Sequence, residues 1–363
     1  MKKGDFRMED NSLETIRIIV DENNKPIDCT INPTVVIYYL NECKKNNDYP
    51  NATINGFIEN RIRKYNDIMD SGLSGPIFIS LVRIFNKFEH EGIIIKGHDA
   101  NDVFKNRFII AKYTEELFHS MYYDFVIEGF PRIIQHYEKS IFPLNISYND
   151  GTSDIGTSFL CWHKESCYIL TARHCIKDNA ITEIGCEFDI KPHKLFYYKD
   201  NTIDIAAIDF EGEFRLPQFL IGNVNILDEI ITSGYPPIPG FKEILISEKG
   251  SISNISMKST KGVVNGVDES YLSKISYLLI SARVKGGNSG GPVINSKGQT
   301  VGIVTNVPLD SEEVDSLGYG LALRAETIRT FFKDIDMKSE EIECKNLHQI
   351  DINKFKVGQS ASL

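Results

Sequence analysis

The 363-residue chain has no stretch of eighteen uninterrupted apolar residues, so no segment reads as a bilayer span. It has no basic excess either. The formal net charge is −10 and the pI is near 5.4, which argues against nonspecific binding to nucleic acid or to an anionic membrane surface. Cysteine is sparse, with seven residues whose spacing shows no disulfide framework, so reduced thiols are expected. In the opening MKKGDFRMEDN no apolar run follows Lys2 and Lys3, so the reading is a cytoplasmic chain without a signal peptide. Cys161, His163, Cys167 and Cys175 lie close together but form no CxxC knuckle, and no metal site is assigned to them.

What is present falls into two textures. Residues 13–31 read as a hairpin, LETIRIIV and IDCTI around the turn DENNKP. Beyond it the period becomes helical. Phe78, Leu81, Val82, Phe85 and Phe88 share one face behind Pro76, a residue suited to a first helical turn. Phe104, Phe108, Ala111, Leu117 and Met121 repeat that spacing, with Asp99 and Asn101 as caps. A further helix is expected from Gly129-Phe130-Pro131 to about Phe142. From about Leu144 short apolar runs (TSFLC, CYILTA, TIDIAAIDF, EIITSGY, YLLISA, TVGIV, YGLAL) alternate with turn residues, the pattern of an all-β sandwich or barrel.

Three sites in the second texture carry chemistry. Gly287-Asn288-Ser289-Gly290-Gly291-Pro292 frames a serine with glycines, which let backbone N–H groups approach a developing oxyanion. The oxyanion hole is assigned to the N–H groups of Gly287 and Ser289. Upstream, Ile169-Leu170-Thr171-Ala172-Arg173-His174 ends an apolar run on a histidine. Thr202-Ile203-Asp204-Ile205-Ala206 places an acid among apolar neighbours, where an unpaired carboxylate would cost several kcal/mol and so needs a partner such as a His Nδ1–H. Asp209 is the alternative acid.

TARHC, DIA and GNSGGP, in that order, resemble the trypsin/chymotrypsin-like serine peptidases. The short His-to-Asp gap, Asn288 before the serine and the phrase ITSGYP look most like the HtrA/Deg-type branch, without its PDZ domain. The resemblance spans about residues 140–335. It implies two six-stranded antiparallel β-barrels, with His174 as base, Asp204 as orienting acid, Ser289 as nucleophile and no cofactor. It also implies a substrate cleft formed by Arg283, Val284, Val304, Thr305 and Asn306. Arg283 stands six positions before the serine, where relatives that cut after Arg or Lys hold an acid. Small or medium aliphatic residues are therefore expected before the scissile bond, with acidic ones as the second choice if Arg283 points inward.

The organisation expected is an α-rich N-terminal domain at 1–140, a trypsin-like protease domain at 141–336 and a C-terminal tail at 337–363. The function expected is a bacterial, cytoplasmic serine endopeptidase acting on protein or peptide substrates, gated or targeted by its N-terminal domain through a regulatory partner. Two other readings compete. A catalytically dead protease fold used as a binding module is opposed by the intact triad and its glycines. A winged-helix N-terminal domain, suggested by Gly92-Ile93-Ile94-Ile95 after a helix, is opposed by its charge. Residues 1–140 hold 18 Lys+Arg against 21 Asp+Glu, which leaves no basic footprint.

Overall fold

The computed structural model describes residues 16–20, 26–62, 74–97, 106–114, 117, 121–148, 150–164, 166–176, 180–186, 191–199, 203–211, 216–237, 256–270, 274–305, 318–339, 347–351 and 356–358. The chain divides into two compact units, Met1–Gly129 and Phe130–Leu363. The division falls before the expected boundary at 140, because the helix Phe130–Tyr137 packs with the second unit: Tyr137 stacks on Phe219 with ring centroids 3.9 Å apart.

In the first unit, β1 (Ile16–Val20) and β2 (Pro26–Ile31) form the expected antiparallel hairpin. Helices α1 (Pro33–Lys45), α2 (Ile54–Phe57) and α3 (Ser74–His90) follow. Asn32 caps α1 by accepting from the Thr34 amide at 3.0 Å, and Pro33 opens the helix where a missing N–H costs nothing. The stripe on α3 is real: Leu81, Phe85 and Phe88 are fully buried, each removal from water worth about 1.5–3 kcal/mol.

The helical reading fails at 107–110, although Leu117 is helical. After α3, β3 (Ile94–Gly97) pairs antiparallel with β4 (Arg107–Ile110), and β4 alternates exposed and buried residues. Ile94 and Ile95 offer Ile109 and Ile110 a cross-strand partner, and a short apolar run fits either period. Phe108 still reaches the core, its ring 4.5 Å from that of Phe85. Asp99, Asn101 and Phe104 lie outside the described residues. Helix α4 (Tyr122–Glu128) closes the unit, and its buried Asp124 accepts from the amide and hydroxyl of Thr34 at the start of α1.

The second unit opens with α5 (Phe130–Tyr137), shorter than expected because Ile141 and Phe142 already belong to β5 (Ile141–Tyr148). Then come β6 (Ser153–His163), β7 (Ser166–Thr171), β8 (Ala180–Gly185), β9 (Lys191–Tyr198) and β10 (Ala206–Glu211). The second half holds β11 (Glu229–Gly234), β12 (Lys258–Glu269), β13 (Ser276–Ile280), β14 (Pro292–Asn295), β15 (Thr300–Val304) and β16 (Gly320–Arg324). Helix α6 (Ala325–Ser339), β17 (Leu347–Asp351) and β18 (Lys356–Gly358) follow.

Strands β11–β16 form the expected closed six-stranded barrel, in the order β11-β12-β13-β16-β15-β14. The first half differs. Its six strands sit inside an eight-stranded sheet, β17-β9-β10-β7-β6-β5-β8-β18, in which the C-terminal strands occupy both edges. Within the expected tail at 337–363, residues 347–351 and 356–358 are therefore sheet strands. They satisfy edge N–H and C=O groups that β8 and β9 would otherwise present to solvent.

Between the halves, the linker around Phe219 bonds to both. Phe219 exchanges backbone bonds with Leu160 and Trp162 at 3.0 and 2.9 Å, and Thr300 donates to Leu220 at 2.9 Å. This is a chymotrypsin-like β protease fold.

Candidate active site

The register of two strands brings the base and the acid together. Strand β10 runs antiparallel to β7 with Ala206 opposite Thr171, so the chain entering β10 and the chain leaving β7 emerge at the same end. His174 sits in a single turn of 3-10 helix, Arg173–Cys175. The Arg173 guanidinium lies 3.9 Å above the Tyr197 ring and bonds the Ile176 carbonyl, which fixes the turn. Asp204 meets it with both carboxylate oxygens. His174 Nδ1 is 2.6 Å from Oδ2, and the His174 amide donates to Oδ1 at 2.8 Å.

A third donor comes from the far barrel: the Thr305 hydroxyl, just past β15, also donates to Asp204 Oδ2. Burial alone would raise the Asp204 pKa, but the bonds from His174 and Thr305 hold it below the usual carboxylate range. Burial likewise disfavours a charged His174, yet the Asp204 carboxylate and the neighbouring Cys175 outweigh it and hold the imidazole above its ordinary value. Asp209 lies along β10 opposite Tyr168 and Lys194, away from His174, and burial pushes its pKa up.

Ser289 belongs to the second barrel but is fastened to the first. Its carbonyl accepts from the Thr157 amide at 2.8 Å and from the Cys175 thiol at 3.6 Å, which sets the Ser289 backbone beside the residue that follows His174. The Thr157 hydroxyl donates to the Gly287 carbonyl at 2.6 Å and accepts from the Tyr235 amide at 3.1 Å. The Gly290 amide donates to the Val304 carbonyl at 2.8 Å.

Two glycines of the motif are obligatory. Gly287 has φ +92°, and a Cβ there would meet the Tyr235 carbonyl at 2.6 Å. Gly290 has φ +85°, and its Cβ would stand 2.2 Å from the Thr157 carbonyl. In this turn the Asn288 amide is taken by the Lys285 carbonyl at 3.0 Å. The Gly287 and Ser289 amides donate to no acceptor among the described residues, as an oxyanion hole requires.

The residues expected to bind substrate divide. Arg283 and Val284 line a cleft on the second barrel. Val304 does not: its side chain is fully buried in the barrel core, and its amide and carbonyl pair with Gly291 and Gly290. The Thr305 side chain is buried and its hydroxyl is committed to Asp204, not to a cleft. Asn306 lies outside the described residues.

Thr157 escaped the sequence reading. Its only trace there is a hydroxyl inside the buried run GTSFLC, which must find partners somewhere. The five described cysteines Cys43, Cys161, Cys167, Cys175 and Cys186 are free thiols, and no cluster of three metal-ligating side chains occurs among the described residues.

The family model of the trypsin-like peptidase domain matches residues 156–303, a span that contains His174, Asp204 and Ser289. The chain is 23% identical over 225 residues to a serine protease HtrA-like of Staphylococcus epidermidis, covering 56% of this chain and 35% of that protein. It is 22% identical over 182 residues to human serine protease HTRA4, covering 49% and 34% respectively. With the chloroplastic protease Do-like 2 of Arabidopsis thaliana it shares 26% over 160 residues, covering 42% and 24%. The chain thus spans about a third or less of the length of these curated relatives. Among solved structures it matches an HtrA-type protease, AlgW, bound to a tripeptide. That match has 16% identity and a TM-score of 0.39, over 59% of this chain and 63% of that one. Residues 156–303 thus match the trypsin-like peptidase domain, and over part of its length the chain is similar to HtrA-type serine proteases.

Proposed function

We propose that the chain is a serine endopeptidase that cuts protein substrates through an acyl-enzyme. The observation that carries this reading is the Asp204 carboxylate, bonded by the ring and amide of His174 and by Thr305, beside a Ser289 turn whose flanking amides are available. Ser289 Oγ attacks the scissile carbonyl carbon as His174 Nε2 takes its proton. Asp204 stays ionised, holds the imidazole in the tautomer with a proton on Nδ1 and stabilises the imidazolium. The carbonyl oxygen becomes an oxyanion that accepts from the Gly287 and Ser289 N–H groups. Collapse breaks the C–N bond, and His174 returns the proton to the leaving amine. Water, deprotonated by His174, then cleaves the acyl ester and restores Ser289.

The free thiols suit a reducing, intracellular setting, which is part of the proposal. So is a gating or recruiting role for the first unit. Residues of its helices and of β3 and β4 form a core of their own, more than a loose leader needs.

The test uses the full chain and a fluorophosphonate probe, which modifies an activated serine. Labelling at Ser289, lost in Ser289→Ala together with proteolysis of a protein substrate, is the expected result. A chain that is folded but unlabelled would refute the enzyme reading.

A further inference from the structure

The second barrel carries a cleft of about 390 Å³, walled on one side by Ser281–Lys285 and on the other by Gly318–Gly320. Strand pairing places it on the rim that holds Ser289. Ile280 at the end of β13 lies opposite Gly320 at the start of β16, and Ala322 of β16 lies opposite Val304 at the end of β15. Ile303 in turn lies opposite Pro292, which begins β14 directly after the Ser289 turn. One wall of the cleft also runs without a break into Gly286 and Gly287, whose amide belongs to the oxyanion hole. The cleft therefore lies along the same rim and the same chain segment that lead to Ser289.

The charge of the described lining is one-sided. Arg283 and Lys285 line the cleft together, and its described lining contains no carboxylate. Both residues are exposed, and neither forms an ion pair with a described residue. Their backbone is held in place: the Arg283 carbonyl accepts from the Thr260 hydroxyl at 2.9 Å, and the Lys285 carbonyl accepts from the Asn288 amide. Between them Val284 turns to the opposite wall, where a Cβ on Gly320 would stand only 2.7 Å from Val284 Cγ2. Gly320 therefore leaves room for Val284, and Arg283 and Lys285 are the charged groups of the described lining.

We propose that Arg283 and Lys285 are specificity-determining residues that select a glutamate or aspartate immediately before the scissile bond. This rests on the endopeptidase reading above and adds the substrate class. An ionised carboxylate entering the cleft gains charge-assisted hydrogen bonds from both cations. A lysine or arginine is repelled, and an aliphatic side chain leaves both cations as they were.

The experiment uses the full chain and peptides that differ only in the residue before the cut: Glu, Gln, Leu or Lys. Fluorophosphonate labelling of Ser289 is measured alongside. Glu is expected to exceed Gln by about tenfold or more in kcat/KM, a ratio that shrinks as salt screens exposed charges. In the double variant Arg283→Gln/Lys285→Gln the Glu-to-Gln ratio should fall toward one. Labelled wild-type enzyme that prefers Leu, or that treats Glu and Gln alike at low salt, would overturn the inference and leave the endopeptidase reading standing. Failure of the labelling itself would remove that reading, and the inference with it.

Discussion

The two β-halves of the second unit solve the same construction problem differently. The second barrel closes with its own six strands and carries Ser289 at its rim. The first half carries His174 and Asp204, yet within the described residues its six strands leave two edges that β17 and β18 occupy. A barrel that closes on itself needs no help from distant sequence. An open sheet borrows its edge partners, here from strands more than a hundred residues downstream. The half that holds His174 and Asp204 is thus the one tied to the last strands, and the half that holds Ser289 is self-contained. Thr305 and Thr157 are the cross-braces, each reaching from one half into the working part of the other.

The largest expected effect is on the self-contained side. Ser289→Ala should lower kcat about 10⁶-fold with an unchanged thermal melt, measured by peptide hydrolysis and calorimetry. On the borrowed side, Asp204→Asn should cost about 10⁴-fold, while Asp209→Asn leaves the rate nearly unchanged. The reverse order would move the acid to Asp209.

Removing one brace is milder. Thr305→Val should reduce kcat/KM about 10- to 100-fold, since one bond to a buried charge is lost, without changing KM for an uncharged peptide. Deleting residues 340–363 should destabilise the first half by about 2–4 kcal/mol, as buried Leu347 and two edge ladders are removed. Hydrogen exchange should then quicken in β8 and β9 but not in β14 or β15; equal quickening in both halves would erase the contrast.

The smallest effect is a shift of pH profile. His174 must be neutral to act as base, and its partner Asp204 holds its pKa above the ordinary imidazole value. The acid limb of kcat/KM should therefore lie above about pH 6.5, with activity rising as pH rises through it. An acid limb below that value would mean that burial outweighs the carboxylate.

Much of the site is legible in the chain. His174, Asp204 and Ser289 announce themselves because each breaks a local rule: an imidazole ending an apolar run, a carboxylate within one, a serine framed by glycines. The α3 stripe is equally plain, since Phe85 and Phe88 can be buried together only at helical spacing. The stretch around Phe108 is not, because a short apolar run satisfies both periods and only its pairing with β3 decides between them. Val304 and Thr305 suggest substrate contacts by position alone, but position along a strand does not say which neighbour a side chain meets across a barrel.

By itself the sequence determined the His174, Asp204 and Ser289 motifs, their order and the β texture that holds them, because these depend on residue type and local period. The tertiary structure alone decided which acid faces His174, what holds Asp204 from behind, how Thr157 fastens the Ser289 turn, and where the C-terminal strands lie. Each of those is a contact between residues far apart in the chain, fixed by strand register and edge pairing. Such contacts exist only once the strands have chosen their partners, and no local pattern records that choice.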